Sequence, residues 1–233
     1  MGRLLPRAAA LALAAALLPG CAGAPPARRA PEGTPAQKLY WEGQLAVQKG
    51  DPDRAMERFE ASRALAEKEG SREGLASSLH AIAMIHVQRE HFREALAALL
   101  RVLSLDRKAL EEAQRAGKPA AELAALEAKV AGGLYDIARV HRRQGDAENT
   151  LRRLREALAI DLRLGRERGA AITHNNVGRI LLALDRLGEA ETHYKAALAL
   201  FEKIKDEARA QEVRYNLEFL ETVRRRAGKG TGR

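Results

Sequence analysis

The chain has 233 residues, 46% of them hydrophobic and only 4% aromatic, with a formal net charge of +9. Ala, Leu, Arg and Glu dominate; these are strong helix formers, and with no sustained apolar–polar alternation to support a sheet the fold class is all-α. The charge does not make a nucleic-acid protein, because it sits at the ends: Arg3 and Arg7 near the start, and Arg224, Arg225, Arg226, Lys229 and Arg233 in the last ten residues. The body between them is nearly neutral, which is no footprint for a phosphate backbone. A single cysteine, Cys21, excludes an intramolecular disulfide and any Cys-rich metal site.

Residues 1–20 read as a signal peptide: two arginines, an apolar run from Ala8 to Leu18, then Leu18-Pro19-Gly20-Cys21. The run would be about 16 Å long as a helix, roughly half of a hydrocarbon core, so it is too short for a permanent span. Leu-x-Gly-Cys resembles the bacterial lipobox, with Pro19 in place of the usual Ala or Ser. The resemblance implies cleavage before Cys21, a diacylglycerol on its thiol and, with Ala22 rather than Asp next, sorting to the outer membrane. Conventional cleavage after Ala22-Gly23-Ala24 is the alternative, and it would discard Cys21. Residues 21–37 then hold four prolines and little to bury, which predicts a stiff, partly polyproline-II tether.

From Lys38 onward one spacing recurs four times. Small residues stand at Gly43, Ala83, Ala138 and Gly178, and again twelve residues on at Ala55, Ala95, Thr150 and Ala190. Four further on come the bulky Phe59, Leu99, Leu154 and Tyr194, and after three more Ser62, Val102, Ala157 and Ala197. The pattern resembles the tetratricopeptide repeat, a helical hairpin closed by small residues. The resemblance implies a right-handed superhelical solenoid of about four hairpins over residues 38–226, ending in a capping helix.

Local punctuation agrees with hairpins. Gly50-Asp51-Pro52 closes one helix, caps the next and starts it with proline. Gly145-Asp146 does the same without the proline, and Gly117-Lys118-Pro119 separates two longer helices. Repeat starts lie 40, 55 and 40 residues apart, against about 34 in the family; intervals near 40 resemble kinesin light chain. The longer middle interval predicts an elongated hairpin near residues 104–130, with Leu103, Leu110 and Ala113 set against Leu123, Leu126 and Val130. Asp206 caps a last helix to about Arg226, apolar inward at Val213, Leu217 and Leu220 and polar outward at Glu212, Glu218 and Glu221. Residues 227–233 read as a disordered basic tail.

No catalytic or metal-binding constellation is visible. His80, His86, His91, His141, His174 and His193 fall in no tight metal spacing, and His86 and His141 sit in a core column. Gly228-Lys229-Gly230-Thr231 lacks the spacing of a phosphate loop. Neither an enzyme nor a cofactor is expected, so function rests on shape.

Carried over column by column, the family's concave groove falls on Tyr40 and Gln44, His80 and Met84, Tyr135 and Arg139, and Asn175 and Arg179, with Arg142 one turn on. The resemblance implies that Asn175 holds a peptide backbone, Tyr135 an apolar side chain, and Arg139 and Arg179 a carboxylate as two unopposed cations. The expected partner is a protein or peptide segment, acidic in character, bound by a scaffold or adaptor held to the bacterial envelope through Cys21. A structural homo-oligomer and a regulatory subunit sensing a short peptide are the rival readings.

Overall fold

The computed structural model describes residues 32–230, with side chains as far as Arg226. The expected signal peptide, Cys21 and most of the tether lie outside the described residues. Among the described residues there are nine helices and no strand: α1 (Pro35–Gln48), α2 (Pro52–Lys68), α3 (Arg72–Gln88), α4 (Phe92–Arg115), α5 (Ala120–Arg143), α6 (Ala147–Arg163), α7 (Glu167–Ala183), α8 (Leu187–Lys203) and α9 (Glu207–Gly230). Each helix packs on its neighbours in sequence, and α1 on α3 and α7 on α9 make the lesser contacts. Four hairpins, α1–α2, α3–α4, α5–α6 and α7–α8, are thus stacked with α9 as a trailing helix. This is the all-α solenoid the sequence predicts.

The turns show why the chain reverses so sharply. Gly50, Gly70, Gly117, Gly145 and Gly165 each follow a helix in the left-handed region, where glycine has no Cβ to clash. Asp51 and Asp146 then accept hydrogen bonds from the backbone N–H groups of Arg54 and Asn149, as their spacing from the next helix predicts.

The first helix begins earlier than expected. Thr34 and Gln37 form a reciprocal capping box, with Pro35 in the first turn. Ala36 is buried and its carbonyl accepts from Ser62, so residues 34–37 belong to the folded body rather than to the tether. At the other end α9 continues past Arg226 to Gly230, and residues 231–233 lie outside the described residues.

All sixteen positions of the four repeat columns are buried. Their sizes compensate in pairs. Glycine stands opposite an aromatic ring (Gly43 and Phe59, Gly178 and Tyr194), whereas alanine stands opposite leucine (Ala83 and Leu99, Ala138 and Leu154). A Cβ on Gly43 would lie 2.6 Å from Phe59 Cε1, and one on Gly178 would lie 2.8 Å from Tyr194 Cδ1. The ring therefore occupies the volume the missing side chain leaves, which close-packed interiors require.

Helices α4 and α5 are 24 residues long where α2, α3, α6, α7 and α8 are 17, about two turns more on each side. Leu103, Ala113 and Val130 are buried there, and Leu110, Leu123 and Leu126 are half-buried. The apolar residues of the elongated hairpin are thus used largely in holding its own two helices together.

Helix α9 seats Ala210, Val213 and Leu220 fully against the fourth hairpin. Its outer side is not uniformly polar as expected, because Tyr215 and Phe219 are 65% and 50% exposed. Glu218, 40 residues after Gly178, falls in the close-approach column and is exposed. A carboxylate thus stands where all four hairpins carry Gly or Ala.

Candidate binding groove

The first helices of the hairpins, α1, α3, α5 and α7, bring most of the expected groove residues to two cavities. Tyr40, Gln44, His80 and Met84 line one of about 430 Å³ between the first two repeats, floored by Phe59 and Ile85. Tyr135, Arg139, Arg142 and Arg179 line another of about 560 Å³ between the third and fourth, with Leu154, Ile172 and Ile180 as its apolar wall. Helical register explains this: residues four apart share a face, and equivalent columns in successive repeats point the same way.

The two cavities meet at a polar bridge that the column reading did not include. Asp136 lies 2.8 Å from His80 Nε2 and 2.9 Å from an Arg139 guanidinium nitrogen, while Arg139 also touches Met84 Sδ. Arg139 is therefore not an unopposed cation, and half of the expected arginine pair is committed within the fold. The i,i+3 spacing of Asp136 and Arg139 was the available signal. Arg142 and Arg179 are instead the cavity-lining cations that are exposed and have no carboxylate partner among the described residues.

Asn175 also departs from its expected role. It is 7% exposed, donates to Glu212 and accepts from Asn216, both on α9. Its amide locks the capping helix to α7, and its neighbour Asn176 lines the cavity in its place.

Tyr135 presents its ring to the cavity, but its hydroxyl is engaged by Asp161 and Thr173. Burial, and next the hydrogen bond to Asp161, raise its pKa, so it stays a neutral donor. Asp161 is fully buried, with Arg166 at 3.1 Å. This buried polar cluster, in which Asp161 Oδ1 meets Arg166 as an ion pair without a hydrogen bond, ties the third repeat to the fourth beside the cavity wall.

Histidines inside the stack add a pH dependence. His174 Nδ1 and His193 Nδ1 are 3.0 Å apart. Burial, and then the neighbouring His193, hold His174 down to about 4. Burial also lowers His193, helped by Arg155 and opposed by Glu189, and lowers His86 and His141. Folding disfavours the imidazolium, whereas the unfolded chain takes the proton near pH 6.5. Stability is therefore complete above about pH 7 and falls between about pH 6.5 and 4. With screening at these partly exposed sites, the loss attributable to the pair should be on the order of 1–2 kcal/mol. Thermal unfolding followed from pH 7.5 to 5 should show it, and His174→Gln should flatten the slope. An unchanged midpoint over that range would refute the assignment.

Among the described residues no group of three or more His, Cys, Asp or Glu side chains is placed to hold a metal ion. Among the same residues no helix is long and apolar enough to cross a membrane.

The family model for the tetratricopeptide repeat matches residues 35–108 and 129–203. No curated protein matches the chain by sequence. Among solved structures, the apo form of RapI superposes with a TM-score of 0.70 at 15% identity over 82% of this chain and 49% of its own. A putative kinesin light chain from Podosopora anserina gives a TM-score of 0.55 at 16% identity over 82% of this chain and 96% of its own. A Rap protein complexed with Competence and Sporulation Factor gives 0.55 at 17% identity, over 84% and 51%. The chain spans about half the length of the two Rap proteins, and identities at this level establish shared fold alone. With a matched model over most of its length and every repeat column buried, the chain belongs to the tetratricopeptide repeat family.

Proposed function

We propose that this protein is a non-catalytic scaffold of the bacterial envelope that binds an acidic peptide segment of a partner protein in its groove. The observation that carries the reading is the cavity between the third and fourth repeats. It is open, apolar-walled by Leu154, Ile172 and Ile180, and bears Arg142 and Arg179 with no carboxylate set against them among the described residues. Apolar walls supply affinity and a few convergent polar groups orient the ligand. Guanidinium groups match carboxylates in charge and in bidentate geometry. A second reading, a short free peptide in place of a segment of a larger partner, is suggested by the shared fold with a Rap protein solved in complex with Competence and Sporulation Factor. Titration with acidic synthetic peptides, followed by pull-down from solubilised envelope with mass spectrometry, separates the two; failure of every acidic peptide to bind would remove both.

The anchor is a separate part of the proposal and rests on sequence. Leu18-Pro19-Gly20-Cys21 supplies the chain's one cysteine at the position a lipobox needs. A single acyl chain binds a membrane only marginally, whereas two or more hold stably, so the diacylglyceryl group would place the groove at the outer membrane. Cys21→Ser should move the protein from the membrane to the soluble fraction. A wild-type mature chain beginning at Pro25 would overturn the anchor and leave the groove untouched.

A further inference from the structure

The repeat phase does not stop at α7. The groove columns that run through Tyr135 and Arg139, then Asn175 and Arg179, fall 40 residues later on Tyr215 and Phe219 of α9. These two stand one turn apart on one helix face, and they are 65% and 50% exposed. Scattered exposed apolar residues are ordinary, but this chain holds only nine aromatic residues, four Tyr, four Phe and one Trp. Two of them side by side in solvent, on the columns that form the groove elsewhere, are not scattered.

Helix α9 also lacks the small residue that the first helix of each hairpin carries. A further helix would have to seat on the close-approach column, where α9 carries the exposed Glu218. Arg179 stands one first-helix step from Phe219 in register, as Met84 stands to Arg139, and that pair is in contact. By this register the aromatic pair comes next after Arg179 in its column, beyond the cavity lined by Arg142 and Arg179, which have no carboxylate partner among the described residues.

We propose that the groove extends onto α9, where Tyr215 and Phe219 form an apolar end site for an acidic peptide whose carboxylates meet Arg142 and Arg179. The proposal rests on the groove reading above and adds the ligand's second element and its spacing. Packed helices lie about 8–10 Å apart and an extended chain advances about 3.3 Å per residue, so the bulky apolar residue stands about three residues from the acidic ones. Charge complementarity selects this occupant: carboxylates fit the two arginines, and one aromatic or long aliphatic side chain fits the face beside them.

The test uses the full chain and two labelled synthetic acidic peptides, alike except that one carries Phe three residues from an acidic pair and the other Ser. By fluorescence anisotropy the Phe peptide should bind wild type on the order of tenfold more tightly. Tyr215→Ser with Phe219→Ser, both on exposed positions, should reduce it to the affinity of the Ser peptide. Equal affinities in wild type, or a Phe preference that survives in the variant, would overturn the end site while leaving the arginine-dependent groove intact. Binding of neither peptide would overturn the groove reading itself. A dimer in sedimentation that the double variant abolishes would make this face a contact between copies and would likewise overturn the end site.

Discussion

Gly178→Leu should lower the unfolding free energy by about 3 kcal/mol, the upper end of what overpacking costs. Any side chain at 178 brings its Cβ to 2.8 Å from Cδ1 and Cε1 of Tyr194. That ring is fully buried and shares its cluster with the equally buried Ala190 and Ala197, so it has no free volume to enter. The size pairing gives a sharper form of the experiment. Gly178→Ala with Tyr194→Leu recreates the Ala138 and Leu154 pair of the preceding repeat, where both residues are buried. Each change alone should destabilise, one by crowding and the other by a cavity. Together they should cost less than their sum by at least about 1 kcal/mol. Tyr194→Phe is the control: the hydroxyl is buried without a partner among the described residues, so removing it should be neutral or stabilising. Urea titration measures all five variants. Strict additivity would mean that Gly178 and Tyr194 do not share one volume.

Arg142→Glu with Arg179→Glu should weaken binding of an acidic peptide on the order of 100-fold or more, since each charge-assisted hydrogen bond contributes about 1.5–3 kcal/mol. Thermal stability should hardly move, because both side chains are exposed and neither has an ion-pair partner among the described residues. Wild-type affinity should fall more steeply with added salt than the variant's residual binding does. The choice of arginines matters. Arg139→Glu would place a carboxylate beside Asp136, which is ion-paired with Arg139 and contacts His80, and would confuse lost binding with a disturbed bridge. Unchanged affinity in the Arg142 and Arg179 double variant would move the binding surface away from this cavity.

The recurring spacing, through its resemblance to a known helical repeat, made the architecture legible in the sequence. The columns through Gly43, Ala55, Phe59 and Ser62 and their counterparts are a local property of helices, repeated at fixed offsets, and every one of them is buried. The turns were equally legible, because Gly50-Asp51-Pro52 and Gly145-Asp146 carry capping chemistry that acts within a few residues. The same register carried Tyr40, Gln44, His80, Met84, Tyr135, Arg139, Arg142 and Arg179 to cavity walls. Even the start of α1 was written in Thr34 and Gln37, although four nearby prolines obscured it.

Only the tertiary structure decided which groove residues are free. Asn175 and Arg179 look alike in sequence, one turn apart on one helix, yet α9 folds over the first and leaves the second open. Arg139 and Arg179 occupy the same column, yet Asp136 answers one and no carboxylate among the described residues answers the other. Helical spacing specifies which way a side chain points. What it meets depends on the neighbouring helix, whose contact is separated in sequence by some 40 residues or more, as in Met84 with Arg139 and Asn175 with Asn216. Tyr215 and Phe219 show the converse. Their columns were readable in the sequence, but their exposure depends on how α9 sits on α7 and α8, the helices that pack on it among the described residues.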